Sequence, residues 1–147
     1  MKTIKKKNNK IRHTIKKKIN FSNKTKSCIV RTFLELLNTI KVYHWNTKSF
    51  AQHKATDELY ANLNTNIDKF VEVLLGKCSS RIKMVEKKIN LIDIHTTQTL
   101  KECIFEYRTF LIDMNMIFNT TIDSDILSIR DEILADLNQF LYLLSLH

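Results

Sequence analysis

Four stretches of the chain repeat apolar residues at intervals of three and four, the spacing that puts them on one face of a helix. In the first, Ile29, Phe33, Leu36, Leu37 and Ile40 mark a helix predicted over residues 27–45. In the second, the stripe is Leu59, Leu63, Ile67, Phe70 and Leu74. That helix is set to open at Ser49, because Ser49-Phe50-Ala51-Gln52 has the form of a capping box. It is set to close at Gly76, the residue best suited to a left-handed cap. The third starts at Thr99, where Thr99-Leu100-Lys101-Glu102 has the same capping form, and carries Cys103, Ile104, Tyr107, Leu111 and Met114 toward Phe118. The fourth is capped by Asp123 or Ser124 and carries Ile126, Ile129, Ile133, Leu137, Phe140, Leu141 and Leu144. Between the second and third helices, residues 77–98 hold no sustained period, and only 81–88 suits a short helix.

The first and last connections are short, so the helices they join are predicted antiparallel. The middle connection is long. The second helix spans about 40 Å at 1.5 Å per residue, and residues 77–98 reach about 70 Å when extended. They can return along the bundle and start the third helix parallel to the second. The expected fold is therefore all-α, a four-helix bundle with one long crossover between its second and third helices, which is the ferritin-like arrangement. The chain has one glycine and no proline, which removes most of the turn chemistry that β-hairpins require.

Charge divides the chain in two. Residues 1–26 hold ten lysines, Arg12 and no acid, and the first acidic residue is Glu35. The remainder carries 13 basic and 15 acidic side chains, so the formal +9 is a cationic arm on a slightly acidic body. Residues 1–26 are read as a disordered basic arm and 27–147 as the bundle. Such an arm attracts polyanions by releasing their counterions. Lys5, Lys6, Lys7, Lys10, Arg12, Lys16, Lys17 and Lys18 are the expected nucleic-acid contacts. Cys28, Cys78 and Cys103 form no C-x-x-C pair and fit free thiols in a reducing compartment. No apolar run approaches a membrane span, and the charged N-terminus lacks the apolar stretch of a secretory signal. The expected location is the cytoplasm or a nucleic-acid assembly.

The polar side chains of the second helix also carry a pattern. With His53 at zero and about 100° per residue, Asp57 falls near 40°, Asp68 near 60° and Glu72 near 100°. All four share one stripe beside the core face, and His44 lies just upstream. His53/Asp57 and Asp68/Glu72 are pairs that could each begin a metal site. Their centres are about 22 Å apart along the helix, too far to close on one ion. Two such helices packed antiparallel about a two-fold axis near Asn62 and Leu63 bring the first pair of one to the second pair of the other. Ala61 and Asn64 are small enough for a close crossing there. The pattern suits an isologous dimer with two equivalent sites, and the mixed ligands suit iron, zinc or manganese. A solvated charged face has the same composition, with Lys54 and Lys69 as ordinary partners.

His44-Trp45-Asn46, then His53-x-x-x-Asp57-Glu58-Leu59-Tyr60, then Asp68-x-x-x-Glu72 eleven residues after Asp57, resembles the signature of the mini-ferritins, the DNA-protection-during-starvation family. The specific motif covers residues 44–72, and helix order and length extend the likeness to about 28–146. The resemblance implies a homo-oligomeric cage, usually of twelve chains, with iron between two-fold-related subunits. It implies that His44, His53 and Asp57 come from one chain and Asp68 and Glu72 from its partner, with Trp45 beside the site. It also implies Fe(II) oxidation, typically by peroxide, mineral storage, and DNA binding through a lysine-rich arm. The loop from His44 to His53 is shorter than the family's and lacks its Gly-Pro turn, which leaves the aim of His44 open. The chain is similar as well to ferritin-like proteins of large DNA viruses, for which a virion or viral factory is the implied location. Beside the ferroxidase stand two other readings: a non-catalytic bundle that packs nucleic acid or builds an assembly, and a helical adaptor. Among the remaining residues, Tyr43 and Tyr60 are read as core or boundary, His13, His95 and His147 as surface, and Met84, Met114 and Met116 as core gap-fillers.

Overall fold

A computed structural model describes residues 21–146, and among them there are four α-helices and no strand. The helices are α1 (Asn23–Asn46), α2 (Phe50–Cys78), α3 (Thr97–Asp113) and α4 (Ser124–Leu143), with a single 3-10 turn, Met114–Met116, after α3. None of them is long and apolar enough to cross a membrane.

The apolar stripes become the core. Ile29, Phe33, Leu36 and Ile40 of α1 meet Leu63, Phe70 and Leu74 of α2, all at most 1 % exposed. Phe33 and Phe70 pack edge-to-face with centroids 5.1 Å apart, a geometry that aromatic quadrupoles favour. The packing of α2 is mainly against α1 and α4.

Helix ends differ from the expectation in instructive ways. Helix α1 starts four residues early, because Ser22 takes the N-cap and its Oγ accepts from the Thr25 amide at 3.1 Å. Residues 23–26 of the expected arm are therefore helical, and Lys26 is buried, donating to Ser80 Oγ at 2.7 Å. Ser49 caps α2 as expected, accepting from the Gln52 amide at 3.3 Å. Gly76 does not end α2. The helix runs on to Cys78, and Ser79 takes the left-handed conformation at φ 48°. Thr96, not Thr99, caps α3 and accepts from the Thr99 amide at 3.1 Å. Residues 81–88 form no helix.

The crossover, residues 79–96, runs beside α1 in the same direction. Ser80 meets Lys26, the Val85 amide donates to Ser27 Oγ, Glu86 pairs with Arg31, and the Asn90 amide donates to Glu35 Oε1. Ile94, fully buried, pins its far end. Helix α3 then begins beside the start of α2, where Gln52 Nε2 donates to Thr97 Oγ1 at 3.2 Å. Helix α4 returns antiparallel to α2, with Lys77 on Asp125 at one end and Asn66 on Asp136 further along. Burial disfavours the Lys77 ammonium, but the hydrogen bonds it donates to Asp125 and Asp123, with their charge, outweigh this and hold the lysine above its ordinary value. Arg130, buried, donates to the Leu111 carbonyl at 2.7 Å and to Asn115 Oδ1 at 3.0 Å. It satisfies backbone that the end of α3 leaves open.

Candidate functional site

The turn between α1 and α2 builds the site. Thr47 Oγ1 and Tyr43 Oη both donate to Gln52 Oε1, at 3.0 and 2.6 Å. Gln52 is thus spent on bracing the turn and not on the return half of a capping box. The braced turn brings the last turn of α1 against the first of α2, and the rings of His44 and His53 stack with centroids 3.9 Å apart and planes 24° apart.

The two histidines hold each other by crossed bonds. His53 Nδ1–H donates to the His44 carbonyl at 3.1 Å. His44 Nδ1 lies 3.1 Å from both the His53 carbonyl and Thr56 Oγ1. A carbonyl only accepts, so Nδ1 carries the proton in each ring. A ring held in this way has Nε2 as its one nitrogen not engaged with backbone, the arrangement by which backbone carbonyls orient metal-binding histidines. His44 Nε2 is 4.0 Å from Asp57 Oδ1. The short loop therefore does not carry His44 away from His53 and Asp57. His44 is buried while His53 and Asp57 are exposed.

Asp68 and Glu72 are exposed further along α2 and do not approach the histidines within the chain. Asp68 lies on a shallow groove between α1 and α2 with Val30, Leu34, Leu37, Asn64 and Val71. Among the described residues, no three or more His, Cys, Asp or Glu side chains are grouped to hold a metal ion within one chain. Within one chain the two stacked imidazoles and the Asp57 carboxylate near His44 do not make up a metal site.

Trp45 packs in no core: it is 71 % exposed at the end of α1, and Phe50, the first residue of α2, is 75 % exposed. Tyr43 is buried, and Tyr60 is partly buried with Lys41 Nζ 4.1 Å above its ring. His95 pairs with Asp93 at 2.8 Å on the surface. Met114 is in the core, but Met116 is 80 % exposed and fills no gap. The three cysteines are free, with Cys28 exposed and Cys103 buried. Burial, with help from Glu106 and Glu102, pushes the Cys103 thiol up. His13, His147 and the expected nucleic-acid contacts Lys5, Lys6, Lys7, Lys10, Arg12, Lys16, Lys17 and Lys18 lie outside the described residues.

Thr56 escaped sequence reasoning, and Gln52 entered it only as part of a capping box. Both are uncharged and off the ligand stripe, and only the folded turn reveals that one steadies His44 and the other the loop. Comparison with curated proteins and with solved structures finds no match. A family model matches residues 44–144, from His44 to one residue past the end of the last helix. The chain belongs to that family, described as a family of unknown function, DUF5856.

Proposed function

We propose that the chain is a ferritin-like bundle of the mini-ferritin type, which binds and oxidises Fe(II) between two-fold-related subunits and contacts nucleic acid through its lysine-rich arm. The observation that carries this reading is the crossed pair His44 and His53. Each commits Nδ1 to the other's backbone carbonyl and leaves Nε2 for a metal, beside Asp57. The course of residues 79–96 along α1, with α3 starting beside α2, supports the ferritin-like connection order.

In this reading Fe(II) is the substrate. The Nε2 atoms of His44 and His53 and the Asp57 carboxylate bind it from one chain. Asp68 and Glu72 of the partner subunit complete the set, and their negative charge favours the ferric product over the ferrous substrate. Peroxide or dioxygen accepts the electrons. The exposed stripe of α2, with Ala61 and Asn64 at its centre, is the surface on which the second copy lies.

The test is Fe(II) oxidation by the purified protein, aerobically and with peroxide, with its mass in solution measured alongside. Asp68→Asn with Glu72→Gln should abolish fast oxidation and leave helicity unchanged, since both side chains are exposed. Oxidation at the wild-type rate in that variant would reject the assignment.

A further inference from the structure

The two ends of α2 carry features that their own chain leaves unused. Phe50, the first residue of the helix, is 75 % exposed, with the Lys54 ammonium 5.7 Å from its ring centroid. At the far end, Leu75, Gly76, Ser79 and Ser80 line an open cleft of about 660 Å³ with Glu72 and Arg81. Gly76 has no positive φ, and a Cβ built there meets nothing within 4 Å. Nothing among the described residues accounts for a glycine in a helix interior, where it weakens the helix.

Both ends lie on one stripe, with Phe50 near about 60° and Leu75 near about 40° when His53 is at zero. Between them the stripe advances in alternate steps of four and three, through Lys54, Asp57, Ala61, Asn64, Asp68 and Val71. That is the spacing of helices that cross at about 20° and stay in contact along their length. Phe50 and Leu75 each lie about 19 Å from a crossing near Asn62 and Leu63. Two antiparallel copies therefore set the ring of one against Leu75 and the open floor at Gly76 of the other. A two-fold axis also keeps each flank of the stripe against the same flank of its copy. Lys54 comes opposite Glu72 within about one residue, and Glu58 opposite Lys69 within about two. All four are exposed, and each pair joins opposite charges. Asp57 meets Asp68, the like pair at which the proposed iron sits.

We propose that Phe50 locks two copies of the chain in register, its ring entering the cleft at Leu75 and Gly76 of the partner subunit, twice per dimer. This rests on the two-fold crossing proposed above and adds the contact that sets its register. The glycine then has a reason: it keeps the floor of the cleft open to an aromatic ring from outside the chain.

Photo-cross-linking of the full chain tests it, with Phe50→p-benzoylphenylalanine in an equal mixture of unlabelled and nitrogen-15-labelled protein read by mass spectrometry. The measurement is made in metal-free buffer and again with Fe(II). The expected result is links between labelled and unlabelled chains that map to residues 72–81, the walls of the cleft. Phe50→Ala and Gly76→Leu, both at exposed positions, should each weaken association about tenfold in sedimentation while circular dichroism stays unchanged. The two together should recover most of that loss, because the added leucine fills the space of the missing ring. Links between chains that map elsewhere, links only within single chains, or no links in either buffer would overturn the proposal. So would undiminished association of Phe50→Ala. Failure of the iron reading alone would show instead as slow Fe(II) oxidation with these links intact.

Discussion

At the scale of single residues, the groups that decide most are those whose neighbours the sequence does not place beside them. Asp136 on α4 accepts from Asn66 Nδ2 on α2 at 3.0 Å. Burial pushes its carboxyl above the ordinary value, the Asn66 bond offsets part of that, and Glu132 adds to it. A carboxyl raised in the folded state binds its proton more tightly folded than unfolded. Its contribution to stability is therefore full below the ordinary carboxylate range and is lost as pH rises through the raised value. Asp136→Asn keeps the hydrogen bond without the charge. It should stabilise the fold at pH 7 by under about 1 kcal/mol, since the group is only partly buried and solvent screens it. The gain should vanish near pH 3, as urea denaturation at the two pH values would reveal. The His44–His53 pair belongs to the same class. The two histidines were legible as letters, but the bond that engages each Nδ1 follows from two carbonyls that only the folded turn brings into place.

At the scale of elements, the end of α2 gives the sharpest reversal. Gly76 was expected to adopt the left-handed cap; it lies inside the helix, and a Cβ built there meets nothing within 4 Å. Gly76→Ala should therefore stabilise the protein by about 1 kcal/mol, the helix-interior penalty of glycine. The left-handed position belongs to Ser79. Ser79→Gly should add about 0.5 to 1 kcal/mol by relieving a conformation that L-residues resist. Thermal unfolding of the two single variants reads both. A fall in melting temperature for Gly76→Ala would return the cap to residue 76. The helix carries on past its glycine because Lys77 still has work on the bundle: it reaches the Ile122 carbonyl, Asp123 and Asp125 at the start of α4. At the same end of the bundle, where Lys26 meets Ser80, Ser22→Ala should lower stability by about 1 kcal/mol through loss of the α1 cap.

At the scale of the whole molecule, the question is assembly and charge. If α2 crosses its copy near Asn62 and Leu63, Ala61→Arg sets two cations beside the axis and should lower the sedimenting mass at micromolar concentration. Wild-type protein that sediments as a monomer would reject the crossing itself. Nucleic-acid binding should reside in the arm. On duplex DNA the logarithmic salt slope is about −0.9 per phosphate, so about five to nine contacts give a total of roughly −4 to −8. The truncation that tests this must stop at residue 20. Removing residues through 26 would also take the Ser22 cap, the first turn of α1 and the buried Lys26–Ser80 bond. Gel shifts of the full chain and of the protein lacking residues 2–20, at two salt concentrations, should differ sharply. Equal affinity would place the contact on the bundle.

The sequence by itself determined the helical class, the number of long helices and most of the buried face. Periodicity of three and four is a local signal, and burial of that face is its direct consequence. It also placed His53, Asp57, Asp68 and Glu72 on one side of α2, because a straight helix converts spacing into angle. Tertiary structure decided the rest. Where α1 and α2 end depends on partners such as Ser80, Asp123 and Asp125, which lie tens of residues away in the chain. The path of residues 79–96 depends on hydrogen bonds to α1 that no periodic pattern encodes. The meeting of His44 with His53 depends on a turn braced by Tyr43, Thr47 and Gln52. A local pattern reports what one element needs to bury, and the contacts between elements settle which side chains are left to do chemistry.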